Sequence, residues 1–136
     1  MKPVLLLIPG MLNDDEVWAD VAPALVSHAQ LHLADVREPA SIAQAADAAW
    51  RLLDDVPADV PLAIAGFSMG GYVAIHMLAH PKRAVQGAAL LSTSARPESP
   101  EGAAARAKTL QALRADFPKA MDRIVQWSME QPGEAL

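Results

Sequence analysis

No cysteine occurs among the 136 residues, which excludes disulfides, thiol nucleophiles and cysteine-ligated metals. Basic residues are in the minority, 11 Lys and Arg against 16 Asp and Glu. The net charge of −5 and a pI near 5.2 argue against nucleic acid or an anionic membrane surface as partner. No apolar run approaches the roughly 20 residues that span a bilayer. The run Val4-Leu5-Leu6-Leu7-Ile8 superficially resembles a signal-peptide core. It stops after five residues at Pro9-Gly10, with no small-residue cleavage site, so it reads as a buried strand and a cytoplasmic location is the expectation. No G-x-G-x-x-G follows that strand and no G-x-x-x-x-G-K-[ST] occurs, which sets dinucleotide and P-loop binding aside. No His, Asp and Glu spacing matches a metal site, and no cofactor is expected. Internal repeats and low-complexity tracts are also missing.

What is present has globular composition, 52% hydrophobic and 20% charged residues. A chain of this length buries roughly two thirds of its unfolded surface, enough for one core. Short apolar runs alternate with segments of helical spacing. Strands are expected at residues 4–8, 31–36, 62–66 and 85–91. Asn13 to Glu16 offers a cap for a helix carrying Val17, Trp18, Val21, Ala22, Leu25 and Val26 on one face. Ser41-Ile42-Ala43-Gln44 is a capping box. It opens a helix with Ile42, Ala45, Ala46, Ala49 and Leu53 on one face. A third helix runs from Tyr72 to His80-Pro81. The βαβαβαβ pattern implies an α/β fold built on a parallel sheet. The character changes near Ala95: Ser99-Pro100 caps an Ala/Arg-rich helix, and Pro118 precedes an amphipathic one with Met121, Ile124, Val125 and Ser128 on one face. Two parts are therefore expected, 1–95 and 96–136.

Gly66-Phe67-Ser68-Met69-Gly70-Gly71 carries the chemistry. It fits G-x-S-x-G, preceded by a strand and followed by a helix. A serine on such a turn has its Oγ pushed out at the sheet edge, facing the N–H groups that open the helix. The alternative is a glycine-rich turn that merely packs helix on sheet. Given the elbow geometry, one oxyanion donor is expected to be the backbone N–H of Met69. The other is expected from Met11, after Pro9-Gly10, a dipeptide that on its own reads as an ordinary tight turn.

Longer segments carry a family resemblance. The stretch from Leu7-Ile8-Pro9-Gly10-Met11 to Trp18 looks like an oxyanion loop, with Pro9-Gly10 where many members have His-Gly. Gly66 to Gly71 matches a nucleophile elbow. His80-Pro81-Lys82-Arg83-Ala84-Val85 and Leu91-Ser92-Thr93-Ser94-Ala95-Arg96-Pro97 resemble the link and strand exit that follow it. Together they resemble the α/β-hydrolase superfamily, and within it the small carboxylesterases. The resemblance implies a three-layer sandwich with strand order 2-1-3-4, a helical cap or lid beginning near residue 96, and ester hydrolysis through an acyl-enzyme on Ser68. It also implies a small-molecule ester or acyl substrate lined by Gly10, Leu12, Phe67 and Ser94.

The family's triad runs Ser, then Asp or Glu, then His. Here the last histidine is His80, twelve residues after Ser68. The acid and base are therefore expected to be absent, the chain corresponding to the N-terminal half of the fold and the start of its cap. Two rivals remain: an inactive truncated hydrolase serving as a binding module, and a half-enzyme completed by another chain.

Other candidates have simpler readings. His76 lies about 12 Å along the helix from Ser68 and reads as a packing residue, and His80 as a helix C-terminal one. His28 and His32 flank the second strand. Asp35 reads as a loop or capping residue and Glu98 as solvated charge. Asp14, Asp15 and Glu16 complement a helix dipole. Met69, Met77, Met121 and Met129 read as core or lid packing. The apolar strand 85–91, if left at the sheet edge, is expected to drive homo-oligomerisation unless the last two helices fold back over it.

Overall fold

The apolar runs are short and end at Pro, Gly or polar residues, as buried parallel strands do. In the computed structural model, which describes residues 1–130, they form β1 (Val4–Ile8), β2 (Gln30–Leu33), β3 (Leu62–Phe67) and β4 (Gly87–Leu91). All pairings are parallel, in the order β2-β1-β3-β4. β1 and β3 form the central pair, in register from Val4 opposite Leu62 to Ile8 opposite Gly66.

Alternation along each strand splits the apolar side chains between two faces. Leu6, Ile8, Leu62 and Ile64 point to one face and are fully buried there. They pack under Ala45, Ala46, Ala49 and Trp50 of helix α2 (Ile42–Arg51) and Val73, Ala74 and Met77 of helix α3 (Met69–Ala79). Burying one such Leu or Ile contributes about 2 kcal/mol. Leu7 and Ala65 point the other way, against Trp18, with Leu5, Leu31 and Phe67 around them. The result is the expected three layers, with a thick core on the α2–α3 side and a thin one on the other.

The first connection departs from the sequence reading. Instead of one helix through 17–26, there is a 3₁₀ turn at Asp15–Trp18 followed by a four-residue helix, α1 (Ala22–Leu25). Pro23 explains the break: it has no N–H to give to the preceding turn, and its ring crowds the carbonyl four residues back. The cap is Asp14, whose Oδ1 accepts from Glu16 N at 3.0 Å, rather than Asn13. β2 is also shorter than expected. Its pairing with β1 ends at Leu33 opposite Leu7, after which Asp35 turns back to accept from Arg37 N at 2.9 Å. β4 starts at Gly87 rather than residue 85.

The capping box at α2 forms with a shift. Ser41 Oγ accepts from Gln44 N at 3.2 Å, while Gln44 Oε1 accepts from Ala40 N at 2.9 Å, one residue before the cap. Arg83 ties the end of this layer together, donating to the carbonyls of Val56, Pro57 and Val60 at 2.7–2.9 Å.

The chain divides into two compact units, Met1–Ala95 and a second beginning at Arg96. The second contains helices α4 (Pro100–Ala115) and α5 (Phe117–Glu130). Ser99 Oγ accepts from Gly102 N at 3.0 Å with Pro100 in the first turn, the cap expected at that dipeptide. Asp116 separates the helices and accepts from Lys119 N at 3.1 Å, so Pro118 sits in the first turn of α5, where its missing N–H costs nothing. Met77 is core as expected, whereas Met129 is 81% exposed. Residues 131–136, the end of the expected second part, lie outside the described residues. Among the described residues no helix is long and apolar enough to cross a membrane.

Candidate active site

The strand order creates a crevice before any side chain is considered. From β1 the chain leaves toward the Trp18 side of the sheet, and from β3 it leaves into α3 on the opposite side. Neighbouring parallel strands whose connections diverge in this way leave a gap beyond their C-terminal ends, where α/β sheets bind ligands. Gly10 stands beyond β1 at that point and Ser68 beyond β3.

Ser68 has φ 53° and ψ −118°, a backbone region costing about 1–3 kcal/mol for a residue with a Cβ. Its surroundings hold it there. Ser68 N donates to Leu91 O at 2.9 Å, and Ser68 O accepts from Gly71 N at 2.9 Å and from Thr93 Oγ1 at 2.8 Å. The Ser68 side chain makes no capping bond to α3. Ser68, half-buried, is the N-cap residue at the positive end of the helix, where the first N–H groups have no intrahelical acceptor.

Close approach explains the glycines. A Cβ on Gly70 would collide with the backbone carbonyls of Ile8 and Pro9, and one on Gly66 would lie 2.7 Å from the carbonyl carbon of Gly70. A Cβ on Gly71 would occupy the space of the Thr93 side chain. α3 is thereby allowed directly against the end of β1. On the other wall, a Cβ on Gly10 would stand 3.1 Å from Ser68 Cβ and 2.9 Å from Asn13 Oδ1. The Gly10 loop and Ser68 are thus immediate neighbours. Asn13 N donates to Gly10 O at 3.2 Å, closing a turn in which Leu12 has φ 62°, the positive value a type II turn has at its third residue.

The residues selected from sequence are distributed as follows. Met69 is the first residue of α3, and its side chain packs against the main core. Met11 and Leu12 follow Gly10 and are exposed. Phe67 packs against the Leu7, Trp18 and Ala65 cluster. Ser94 is exposed in the segment after β4. Thr93 and Ser92, the latter at φ 47°, adjoin the turn although no catalytic motif in the sequence marks them. The only available signal was three hydroxyl residues in a row directly after a strand.

The described histidines do not reach Ser68. His76 and His80 stack on each other at 4.5 Å between ring centres, at the far end of α3. His32 is in register with Leu6, and through it with Ile64. Two strand spacings and four residues therefore separate it from Ser68, roughly 16 Å. His28 lies in the exposed turn before β2. Asp35 is held by Arg37, with Oδ2–Nη2 at 2.6 Å and Oδ1–Nε at 2.9 Å. Those hydrogen bonds pull its carboxyl down to about 2. With Asp14, Asp15 and Arg37 it lines a cleft of about 210 Å³ that does not include Ser68. Glu98 pairs with Arg106 at 2.6 Å. Among the described residues, no three His, Asp or Glu side chains are grouped so that they could hold a metal ion.

A sequence model of the α/β-hydrolase fold family matches residues 3–136. The chain belongs to the α/β-hydrolase family. Solved structures share the architecture. A thermophilic esterase from Thermogutta terrifontis superposes with a TM-score of 0.76 at 25% identity, over 87% of this chain and 47% of that one. A hydrolase from Pseudomonas aeruginosa gives 0.64 at 23% identity, over 81% and 45%. MenH from S. aureus gives 0.63 at 19% identity, over 97% and 57%. The chain thus spans about half the length of these α/β-hydrolases. No protein of curated function matches the sequence.

Proposed function

We propose that this α/β-hydrolase chain carries the nucleophile of a carboxylic ester hydrolase, with Ser68 as the attacking residue. The observation behind this reading is the strained Ser68 at the start of α3, one contact away from the Gly10 loop. The likeness to an esterase at 25% identity favours esters over other acyl substrates. In this reading Ser68 Oγ attacks the ester carbonyl carbon while a base takes its proton. The backbone N–H groups of Met69 and Met11 hold the oxyanion. The alcohol leaves, taking a proton from the protonated base, and water then releases the acid from Ser68. Gly10, Leu12, Phe67 and Ser94 are assigned to the substrate pocket, and the helices from residue 96 to a cap. Because the described histidines are out of reach, the triad acid and base are assigned to residues outside this chain. A cytoplasmic setting completes the proposal.

The test is covalent labelling of the complete enzyme, with the proposed triad acid and base present. A fluorophosphonate probe is expected to modify Ser68, and Ser68→Ala is expected to abolish labelling without changing the circular dichroism spectrum. Persistent labelling of the Ala variant would remove Ser68 from the mechanism.

A second expectation concerns the chain on its own. β4 is one of the two edge strands of the described sheet, and all five of its residues are exposed. An unpaired apolar edge is a template for another strand, and two copies of Gly87–Leu91 can pair with each other about a twofold axis. A second copy of the chain is therefore the proposed occupant. Sedimentation of residues 1–136 is expected to show a dimer or larger species. A clean monomer with freely exchanging β4 amides would overturn this.

A further inference from the structure

The nucleophile turn has a clasp that its G-x-S-x-G signature does not include. Ser68 is fixed from outside its own strand and helix by the segment leaving β4. Leu91 O takes its N–H, and Thr93 Oγ1 donates to its carbonyl at 2.8 Å. Ser92, at φ 47°, bends the chain between these two contacts so that Thr93 comes back to the turn. The Thr93 side chain then fills the space that a Cβ on Gly71 would need. The hydroxyl is half-buried, and its position is set by packing as well as by the bond.

The carbonyl that Thr93 grips belongs to the same peptide unit as the N–H of Met69. That unit is planar and trans, so its C=O and N–H point in opposite directions. Fixing the carbonyl therefore fixes where the N–H points. Drawing electron density toward the Ser68 oxygen also makes the Met69 N–H a stronger donor, as in any chain of hydrogen bonds. The Met69 N–H itself has no acceptor within α3.

We propose that Thr93 is a positioning residue that orients and polarises the Ser68–Met69 peptide, and through it the Met69 oxyanion donor. The inference rests on the reading of Ser68 as nucleophile. Gly71 N–H also donates to the Ser68 carbonyl, but it lies inside α3 and moves with it. Thr93 is the donor that ties the peptide to the sheet.

The experiment compares Thr93→Val, which keeps the shape and loses the hydroxyl, with Thr93→Ser, which keeps the hydroxyl. Both are made in the complete enzyme, with the proposed triad acid and base present. Two readouts are taken: the fluorophosphonate labelling rate of Ser68, and the Met69 amide proton shift with hydrogen exchange at Gly71. Thr93→Val is expected to slow labelling about tenfold, to move the Met69 resonance upfield and to speed Gly71 exchange. Ester turnover of Thr93→Val is expected to fall in kcat with KM unchanged, and Thr93→Ser is expected to restore every readout. Wild-type labelling rate and an unmoved Met69 amide in Thr93→Val would overturn the proposal. So would a Thr93→Ser variant as impaired as the Val one, since shape and not the hydroxyl would then matter. If the wild-type protein itself is not labelled, the nucleophile reading fails. The amide measurements still decide whether Thr93 sets the peptide.

Discussion

Purified residues 1–136 are expected to hydrolyse short p-nitrophenyl esters only marginally faster than their Ser68→Ala variant. A serine hydroxyl is a weak nucleophile at its ordinary pKa and needs an adjacent base. The described histidines are paired with each other at the far end of α3, placed roughly 16 Å away on β2, or exposed ahead of it. Removing the histidine from a working serine triad costs on the order of 10⁶ in kcat. Oxyanion donors and binding alone leave roughly 10³ to 10⁴ over water. Supplying the proposed acid and base, by covalent extension or in trans, should therefore raise Ser68-dependent turnover by orders of magnitude. Turnover of the isolated chain, measured against Ser68→Ala, is the check. Robust activity would redirect the search for a base to His28, His32 or a second subunit.

Gly70→Val is expected to abolish cooperative folding, a loss of more than about 4 kcal/mol. The colliding atoms are the backbone carbonyls of Ile8 and Pro9. Neither can swing aside as a side chain would, because Ile8 ends the central strand and both residues are buried. To admit a side chain, α3 must lift off the sheet and expose Val73, Ala74 and Met77. Other glycines make the contrast. A Cβ on Gly87 meets only Ala63 Cβ, at 3.8 Å, and one on Gly102 meets the flexible side chains of Glu98 and Ser99 at 3.2–3.3 Å. Gly87→Ala should be tolerated within about 0.5 kcal/mol. Gly102→Ala should stabilise by up to about 1 kcal/mol through helix propensity, provided Glu98 yields. Thermal melts of the three variants separate these outcomes. A Gly70→Val protein with an unshifted midpoint would contradict the close approach of α3 to β1.

Much of the architecture was legible because it depends on short-range patterns. Unbroken apolar runs ending in Pro9-Gly10 or Gly66 locate strands, and Ser41 and Ser99 each lie three residues ahead of the amide they cap. The alternation of runs and helices, with the family resemblance, gives the sheet order. The misses had causes invisible to those patterns. Pro23 divides a segment whose apolar spacing is otherwise helical, and the spacing alone does not show the break. β2 ends at Leu33, and the Asp35 carboxylate beyond it closes a turn on Arg37 that apolar spacing does not reveal. Leu12 and Ser92 adopt positive φ without being glycine, so nothing in their identity marks them. Thr93 acts through a partner 25 residues away, a relation that only the parallel β3–β4 pairing creates.

The position of β1 in the sheet also has a consequence during synthesis. Its central partner begins at Leu62, 58 residues after Val4. At translation rates of about 5–20 residues per second, β1 waits roughly 3 to 12 seconds before β3 exists. In that interval β2 is its only strand partner, and the α3 side chains that will cover Leu6 and Ile8 have not been made. A five-residue strand of Val, Leu and Ile is then covered on that face by α2 alone in a growing chain. Such non-local parallel pairing is slow and exposes surface that aggregates. The centre of this sheet, buried in the finished fold, is therefore a segment of the nascent chain that waits longest for its full set of partners.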